Sequence, residues 1–465
     1  MPTIKFCGAA QTVTGSSHLV TLADGFSILL DCGMFQGHDS NYGEENKDFL
    51  FAPDKLNCLV LSHAHIDHCG RIPRLVAQGF SSAIYCTPAT RDLAEVMLMD
   101  SAHIQEKDTE FNNKRRLRKG LDEMEILYTT DDVKKTIPLF RKKNYEEWFQ
   151  IHPGCEVMFR DNGHILGSAS VHLRIFENGK QIMLGFSGDI GRPDRPILHD
   201  PVQMEPCDFL LSESTYGGRK HEAFPDDKEH LLKVVFDTCV TRKGKVIIPA
   251  FSVGRTQEIV YMLDQLWDTE QLPRVPVYVD SPLSTNATAI YRKHPECFDA
   301  DILHHLETDP DPFGFNSLNY ITEVEESKAL NSKPEPCIII SASGMAEAGR
   351  ILHHIKNNTE DARNTILIVG YCAEHSLGAR LRNGEKNLKI FGDEITVRAQ
   401  VAIMDSFSAH GDHDELISFL SNQTGVKKLF LVHGDIKAMN ALAAGLKPKG
   451  FLSIEMPVKG RVVKL

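Results

Sequence analysis

The sequence predicts an α/β protein in which one domain is interrupted by another. Three observations carry that expectation. Short β-like runs separated by Gly- and Asp-containing turns fill the first hundred residues, at 3–6, 18–21, 26–30 and 58–61, and resume at 156–159, 171–176 and 182–186. Past about residue 210 the texture changes to four apolar runs, at 245–251, 275–279, 337–341 and 365–369. Strands of that composition suit a parallel sheet covered on both faces. β-like texture then returns near 388–404, and a strand at 428–432 ending in His433-Gly434 lets the chain close back on its first part.

Between the first two β-rich blocks, residues 90–150 are polar and predicted to be mostly helical, forming an arm. After the run at 245–251, Ile259, Leu263 and Leu266 follow at helical spacing, so strand, short loop and helix alternate and functional loops are expected at strand C-termini. A further helix is expected at 414–420. No tandem repeat or low-complexity linker interrupts this order.

Bulk composition narrows the function classes. With 465 residues, 42% hydrophobic and 25% charged, the chain has ample material for two or three domains. The N-terminus lacks a secretory pattern and no apolar stretch approaches the ~20 residues that span a bilayer, so no membrane role and a cytoplasmic location are expected. Eleven scattered cysteines without a Cys-x-x-Cys pair fit reduced, buried thiols rather than a disulfide framework. The net charge of −12 argues against a generally basic nucleic-acid surface, though not against a local one. The cluster Lys114-Arg115-Arg116-Leu117-Arg118-Lys119 reads as a solvated helix face or as a nucleic-acid contact.

The most informative segment is Ser62-His63-Ala64-His65-Ile66-Asp67-His68, directly after the apolar run Leu59-Val60-Leu61. Imidazole and carboxylate are ligands that borderline-soft zinc accepts. Residues two apart on an extended chain project to one side, so His63 and His65 can reach one ion, while Asp67 and His68 can face a second. The alternative is a polar, His-rich loop. Gly163-His164 and Gly188-Asp189 supply what two ions would still lack, since an aspartate at a strand end can bridge two cations. Cys69 is expected to be packing.

In order along the chain, Asp31, the His63-to-His68 motif, His164 and Asp189 resemble the motifs of the metallo-β-lactamase fold. Glu213 in Ser212-Glu213-Ser214-Thr215-Tyr216-Gly217, His410 in Phe407-Ser408-Ala409-His410, and His433 in Leu431-Val432-His433-Gly434 resemble those of its β-CASP branch of nucleic-acid-processing hydrolases. The stretches Gly163-His164-Ile165-Leu166-Gly167-Ser168-Ala169, Pro249-Ala250-Phe251-Ser252-Val253-Gly254-Arg255-Thr256-Gln257-Glu258 and Ser343-Gly344-Met345 look alike too. The nearest resemblance is to prokaryotic ribonucleases related to the endonuclease that cuts eukaryotic pre-mRNA before polyadenylation.

The resemblance implies an αββα sandwich with a β-CASP domain inserted. The expected boundaries are 1–209 and 396–465 for the sandwich and 210–395 for the insert. It implies two zinc ions, one held by His63, His65, His164 and Asp189, the other by Asp67, His68, His433 and the same Asp189. Asp31 would orient the ligands, and Asp67, Glu213 and His410 would serve catalysis, with His410 as the acid and Glu213 as its holder. The implied activity is hydrolysis of single-stranded RNA by a metal-activated hydroxide, endonucleolytic or also 5′ exonucleolytic, leaving 5′-phosphate and 3′-hydroxyl ends. Arg255, Ser343 and Gly344 are assigned to phosphate binding, with helix capping or a salt bridge as the alternative for Arg255. Nothing ahead of Met1 resembles the KH modules of archaeal relatives, so RNA is expected to be gripped by the cleft between the domains. A homodimer is the assembly the resemblance suggests. His375, where relatives often carry a small residue, has no assigned role. The competing readings are a small-molecule metallohydrolase of the same fold and an inactive RNA-binding subunit.

Overall fold

The structure is a computed structural model that describes residues 1–37, 42–221, 227–370, 372–373, 375–404 and 408–465. Phe407, in the stretch quoted around His410, lies outside the described residues. The chain divides into two compact units, Met1–Lys220 with His410–Leu465, and His221–Ala409.

The first unit is built on two seven-stranded sheets. One runs, edge to edge, through Val462–Lys464, Thr3–Gly8, Ser17–Thr21, Ser27–Leu30, Cys58–Val60, Ala83–Cys86 and Phe140–Lys142. The other runs through Ile454–Glu455, Lys428–Val432, Phe209–Glu213, Lys180–Phe186, Ala169–Glu177, Cys155–Asp161 and Phe149–His152. Alternate residues of both sheets meet in a single core: Ile4, Phe6, Ile28, Leu30 and Val60 from the first, Val157, Phe159, Val171, Leu173, Phe186 and Phe430 from the second. This is the period of two that a half-buried strand imposes. Each such side chain contributes about 1.5–3 kcal/mol on burial. The far face of the second sheet packs under the helices His413–Phe419 and Ile436–Leu446 through Leu429, Leu431, Leu416 and Leu442.

Most expected strands of this unit are present within a residue or two. The segment 90–150 departs from expectation. One long helix, Pro88–Leu117, and a short one, Thr130–Thr136, are followed by two strands, Phe140–Lys142 and Phe149–His152. Both strands lie at sheet edges and bury little, so their sequence is as polar as a surface helix. The basic cluster sits at the exposed end of the long helix, where Lys114 pairs with Glu110 and Arg116 Nε donates to the Asp122 carbonyl.

The second unit holds a six-stranded sheet in the order Leu318–Ile321, Val277–Asp280, Ile338–Ser341, Val246–Pro249, Thr365–Val369 and Gln400–Met404, every pairing parallel. The four inner strands are the four apolar runs. The boundaries differ from those expected. Phe209–Glu213 pairs with strands of the first unit on both sides, so the insert starts later than 210. Gln400–Met404 pairs with Thr365–Val369, so the insert runs past 395. That edge strand is half-exposed and falls within 396–465, the stretch expected to belong to the returning sandwich. All eleven cysteines are free and buried. No helix among the described residues is long and apolar enough to cross a membrane.

Candidate metal centre

The strands Ser27–Leu30 and Cys58–Val60 are parallel, as are Lys180–Phe186, Phe209–Glu213 and Lys428–Val432. Parallel strands deliver their C-terminal ends to one edge, where an α/β sheet collects ligands. Asp31, His63 with His65, Asp189, Glu213 and His433 all sit at or just past those ends. Asp31 (φ 57°) and His433 (φ 50°) occupy the left-handed region that side chains rarely adopt, held there by backbone bonds to Val60 and Ala9. His164 enters on the loop after Cys155–Asp161. A Cβ at Gly191 would lie 2.1 Å from the Gly163 carbonyl oxygen, so only glycine lets the His164 and Asp189 loops close together.

Two groups of donor atoms result. In the first, His65 Nδ1 stands 3.2 Å from both His63 Nε2 and His164 Nε2, and Asp189 Oδ2 lies 3.5 and 3.6 Å from those two nitrogens. In the second, His68 Nε2 is 3.1 Å from His433 Nε2 and 3.2 Å from Asp189 Oδ1, with Asp67 Oδ2 3.3 Å from His433 Nε2. His433 Nδ1 also lies 3.5 Å from Asp189 Oδ1. Asp189 thus turns one oxygen to each group. Its Oδ1 is buried yet accepts no hydrogen bond of normal geometry.

Hydrogen bonds fix which ring nitrogen faces inward. Ser62 Oγ donates to Asp31 Oδ2 (2.9 Å), so at 3.0 Å it accepts from His63 Nδ1–H and leaves the His63 Nε2 lone pair to the centre. His68 Nδ1 donates to Asp31 Oδ2 at 2.6 Å. Thr215 Oγ1 donates to the His433 carbonyl and accepts from His433 Nδ1, both at 3.0 Å. Asp31 is fully buried and also accepts from Ser16 Oγ and the Ser62 amide.

Electrostatics point the same way. Burial, reinforced by His68, holds His63 neutral, and burial brings His65 down to about 4. Burial works against ionised Asp67 and Asp189, but the surrounding histidines outweigh it, holding Asp67 at about 2 and Asp189 well below the carboxylate range. His68, facing Asp189, Asp31 and Asp67, is raised despite its burial: positive charge is wanted at this point. Neutral imidazoles and ionised carboxylates are the ligand states a divalent cation requires. A tetrahedral ion with bonds of about 2.0–2.1 Å spaces its ligands by roughly 3.3 Å, close to the separations in the first group. The residues present therefore fit metal ions, and the seven expected ligand positions are the ones brought together.

Beside the first group, His410 Nδ1 lies 3.2 Å from Glu213 Oε1, and its ring packs 4.6 Å from that of His164. Burial lowers its affinity for a proton, but Glu213 outweighs burial and raises the imidazolium to about 9. Glu213 is fully buried and accepts from the Ile190 amide at 2.5 Å. Cys69, a buried thiol, donates to the Ala64 carbonyl and takes no part.

The other expected site residues lie in the second unit. Arg255 opens the helix Arg255–Asp268, is buried, and pairs with Glu258. Ser343 and Gly344 follow the strand Ile338–Ser341. Ser343 Oγ accepts from the Glu347 and Ala348 amides (3.2 and 3.3 Å), and a Cβ on Gly344 would lie 2.7 Å from the Phe251 ring. His375 is exposed. Ser16, Ser62 and Thr215 had no assigned role; Ser62 and Thr215 stood inside the quoted motifs, and only their polar neighbours in the fold reveal what they hold.

Three stretches of the chain match known domain families. Residues 11–250 match the Metallo-beta-lactamase superfamily, 256–381 the Beta-Casp domain, and 394–457 the Zn-dependent metallo-hydrolase RNA specificity domain. Ribonuclease TTHA0252 of Thermus thermophilus is 34% identical, over 95% of each chain. An RNase J-like protein of Methanocaldococcus jannaschii is 31% identical over the whole of both chains. Transcription termination factor FttA of Methanosarcina mazei is 31% identical over 95% of this chain and 68% of its own. A crystal structure of a protein of unknown function from Enterococcus faecalis shares the fold, with a TM-score of 0.54 at 12% identity and full coverage of both chains. The chain therefore belongs to the metallo-beta-lactamase superfamily, in the branch that carries a Beta-Casp domain, and is a metal-dependent hydrolase.

Proposed function

We propose that this chain is a zinc-dependent ribonuclease whose centre holds two ions. His63, His65, His164 and Asp189 would hold one, and Asp67, His68, His433 and Asp189 the other. The carrying observation is Asp189, which turns Oδ2 to the first group and leaves buried Oδ1 without a hydrogen bond at the second. The relatives named ribonuclease support RNA as the substrate. Zinc, when bound, lowers the pKa of water to roughly 7 and neutralises charge on a phosphodiester.

The chain's own residues supply the rest. Asp31, through Ser62 and His68, and Thr215, through His433, hold the imidazoles in the tautomer that faces the centre. His410 Nδ1 is turned to Glu213, so Nε2 is the atom that protonates the leaving 3′ oxygen, giving 5′-phosphate and 3′-hydroxyl ends. Ser343 and Gly344 form the phosphate-binding turn. Arg255 would have to exchange Glu258 for a phosphate to join them.

The test is cleavage of 5′-labelled single-stranded RNA by purified protein, beside a DNA strand of the same sequence and the His410→Ala variant. RNA fragments with 5′-phosphate ends, absent with the variant and with DNA largely spared, are expected. Zinc-loaded protein that leaves RNA intact would point to a small-molecule hydrolase. RNA binding without zinc or cleavage would point to an inactive subunit.

A further inference from the structure

The second unit carries a cluster of donor groups for which the reaction above has no use. Asp264 and Asp268 lie one turn apart on the helix Arg255–Asp268, and so on one face of it. His305 and Asp309 are likewise four apart, where the helix Ala300–His305 continues into a turn through the Asp309 amide and the His305 carbonyl. His305 Nε2 stands 3.1 Å from Asp264 Oδ2, 3.6 Å from Asp268 Oδ2 and 3.7 Å from Asp309 Oδ2. One donor atom from each of the four residues lies within 4.8 Å of all the others.

Two features separate this cluster from an ordinary acidic patch. Asp264 is 1% exposed, its Oδ2 faces His305 at the junction of the four side chains, and its carboxyl lies within hydrogen-bonding reach of the Asp309 carboxyl, so two acidic groups are pressed together out of water. Two carboxylates that close cannot both be ionised unless a positive charge comes between them. Charge is also unbalanced. Among the described residues no lysine or arginine pairs with Asp264, Asp268 or Asp309, and the nearby Arg292 is engaged by Asp311. A single imidazole faces three carboxylates. Burial together with Asp309 and Asp268 pushes the Asp264 carboxyl up to about 8, the response of a site short of positive charge. A cavity of about 710 Å³, lined by Lys228, Glu229, Asp268, His305 and Thr308 among others, lies beside the cluster.

We propose that Asp264, Asp268, His305 and Asp309 bind one divalent transition-metal ion, which ties the helix Arg255–Asp268 to the segment 300–309. Three oxygens and one imidazole suit manganese; the nitrogen disfavours calcium, which takes oxygen donors throughout. The ion supplies the charge that three carboxylates need.

The test uses the full-length zinc-loaded protein with Mn²⁺ as probe. Binding is read from the loss of the free Mn²⁺ electron paramagnetic resonance signal, and zinc content is measured before and after. One Mn²⁺ per chain is expected to bind without displacing zinc, and to raise the melting temperature by roughly 2–4 °C. Asp264→Asn and Asp309→Asn should each weaken that binding at least tenfold and abolish the thermal shift while zinc content holds. Asp268→Asn, at a side chain 42% exposed, should fold normally and weaken Mn²⁺ binding as well. Wild-type protein that takes up no Mn²⁺ beyond its zinc, or variants that bind it as tightly as wild type, would overturn the proposal. None of these readouts depends on RNA cleavage, so failure of the ribonuclease reading would leave them standing.

Discussion

Each unit buries an aspartate at the end of a parallel strand against histidine, yet the two aspartates are treated in opposite ways. In the second unit Asp280 is saturated: Oδ1 accepts from Arg350 at 2.6 Å, and Oδ2 from His354 (2.6 Å) and Ser327 (2.5 Å). In the first unit Asp189 is buried just as deeply, but among the described residues no arginine pairs with it, and one of its oxygens takes no hydrogen bond of normal geometry. The histidines follow suit. His354 spends both ring nitrogens, on Asp280 and Asn331, whereas His63 and His433 spend Nδ1 on a hydroxyl and aim Nε2 at other acceptors. Burial and Asp-His proximity are therefore common to a structural tie and a metal centre. Lone pairs left facing one another distinguish the centre, and by that criterion the Asp264 cluster groups with Asp189.

Variants can break this contrast. Asp189→Ala should lower RNA cleavage by roughly 10³-fold or more, since it removes the group shared by both sets of donors; the rate constant under single-turnover conditions reads this. Asp280→Ala should act on stability instead, by about 3 kcal/mol, because it strands Arg350 and His354. Denaturant unfolding would show it, with zinc per chain at the wild-type level. His410→Ala should cost cleavage about 100-fold with zinc retained; parallel loss of zinc and activity would assign His410 to metal binding. Thr215→Val, which frees His433 Nδ1, should weaken zinc binding by about tenfold in a chelator competition.

The smallest effect concerns pH. Asp264 is raised in the fold from 3.8 to about 8, so without a cation its contribution to stability is present below pH 4 and lost as pH rises through 8. Metal-free Asp264→Asn should then be more stable than wild type at pH 8 and indistinguishable from it near pH 4, in melting curves taken at both values.

The sequence made the centre legible because its donors are neighbours in the chain: His63 to His68 span six positions, and His164 and Asp189 each follow a glycine at a strand end. The groups that orient those donors were not legible, because Ser16 meets Asp31 across 15 residues and Thr215 meets His433 across 218. Hydrogen bonds of that range leave no periodicity. The fold divides similarly. Strands buried on both faces, such as Ile338–Ser341, announce themselves as apolar runs. Leu318–Ile321, at one edge of the same sheet, is half-exposed and mixed in composition; Gln400–Met404, at the other edge, is apolar but adjoins the returning β-rich stretch, and only its pairing with Thr365–Val369 carries the insert past the expected residue 395. The Asp264 cluster went unseen because Asp264 meets His305 across 41 residues, from a different helix.

The central claim is that Asp189 is shared by two ions. Metal content of wild type and Asp189→Ala, purified side by side and measured by mass spectrometry with Mn²⁺ withheld, tests it most directly. Two zinc ions per wild-type chain and nearly none in the variant are the predicted result. A variant that retains two zinc ions would contradict the bridge.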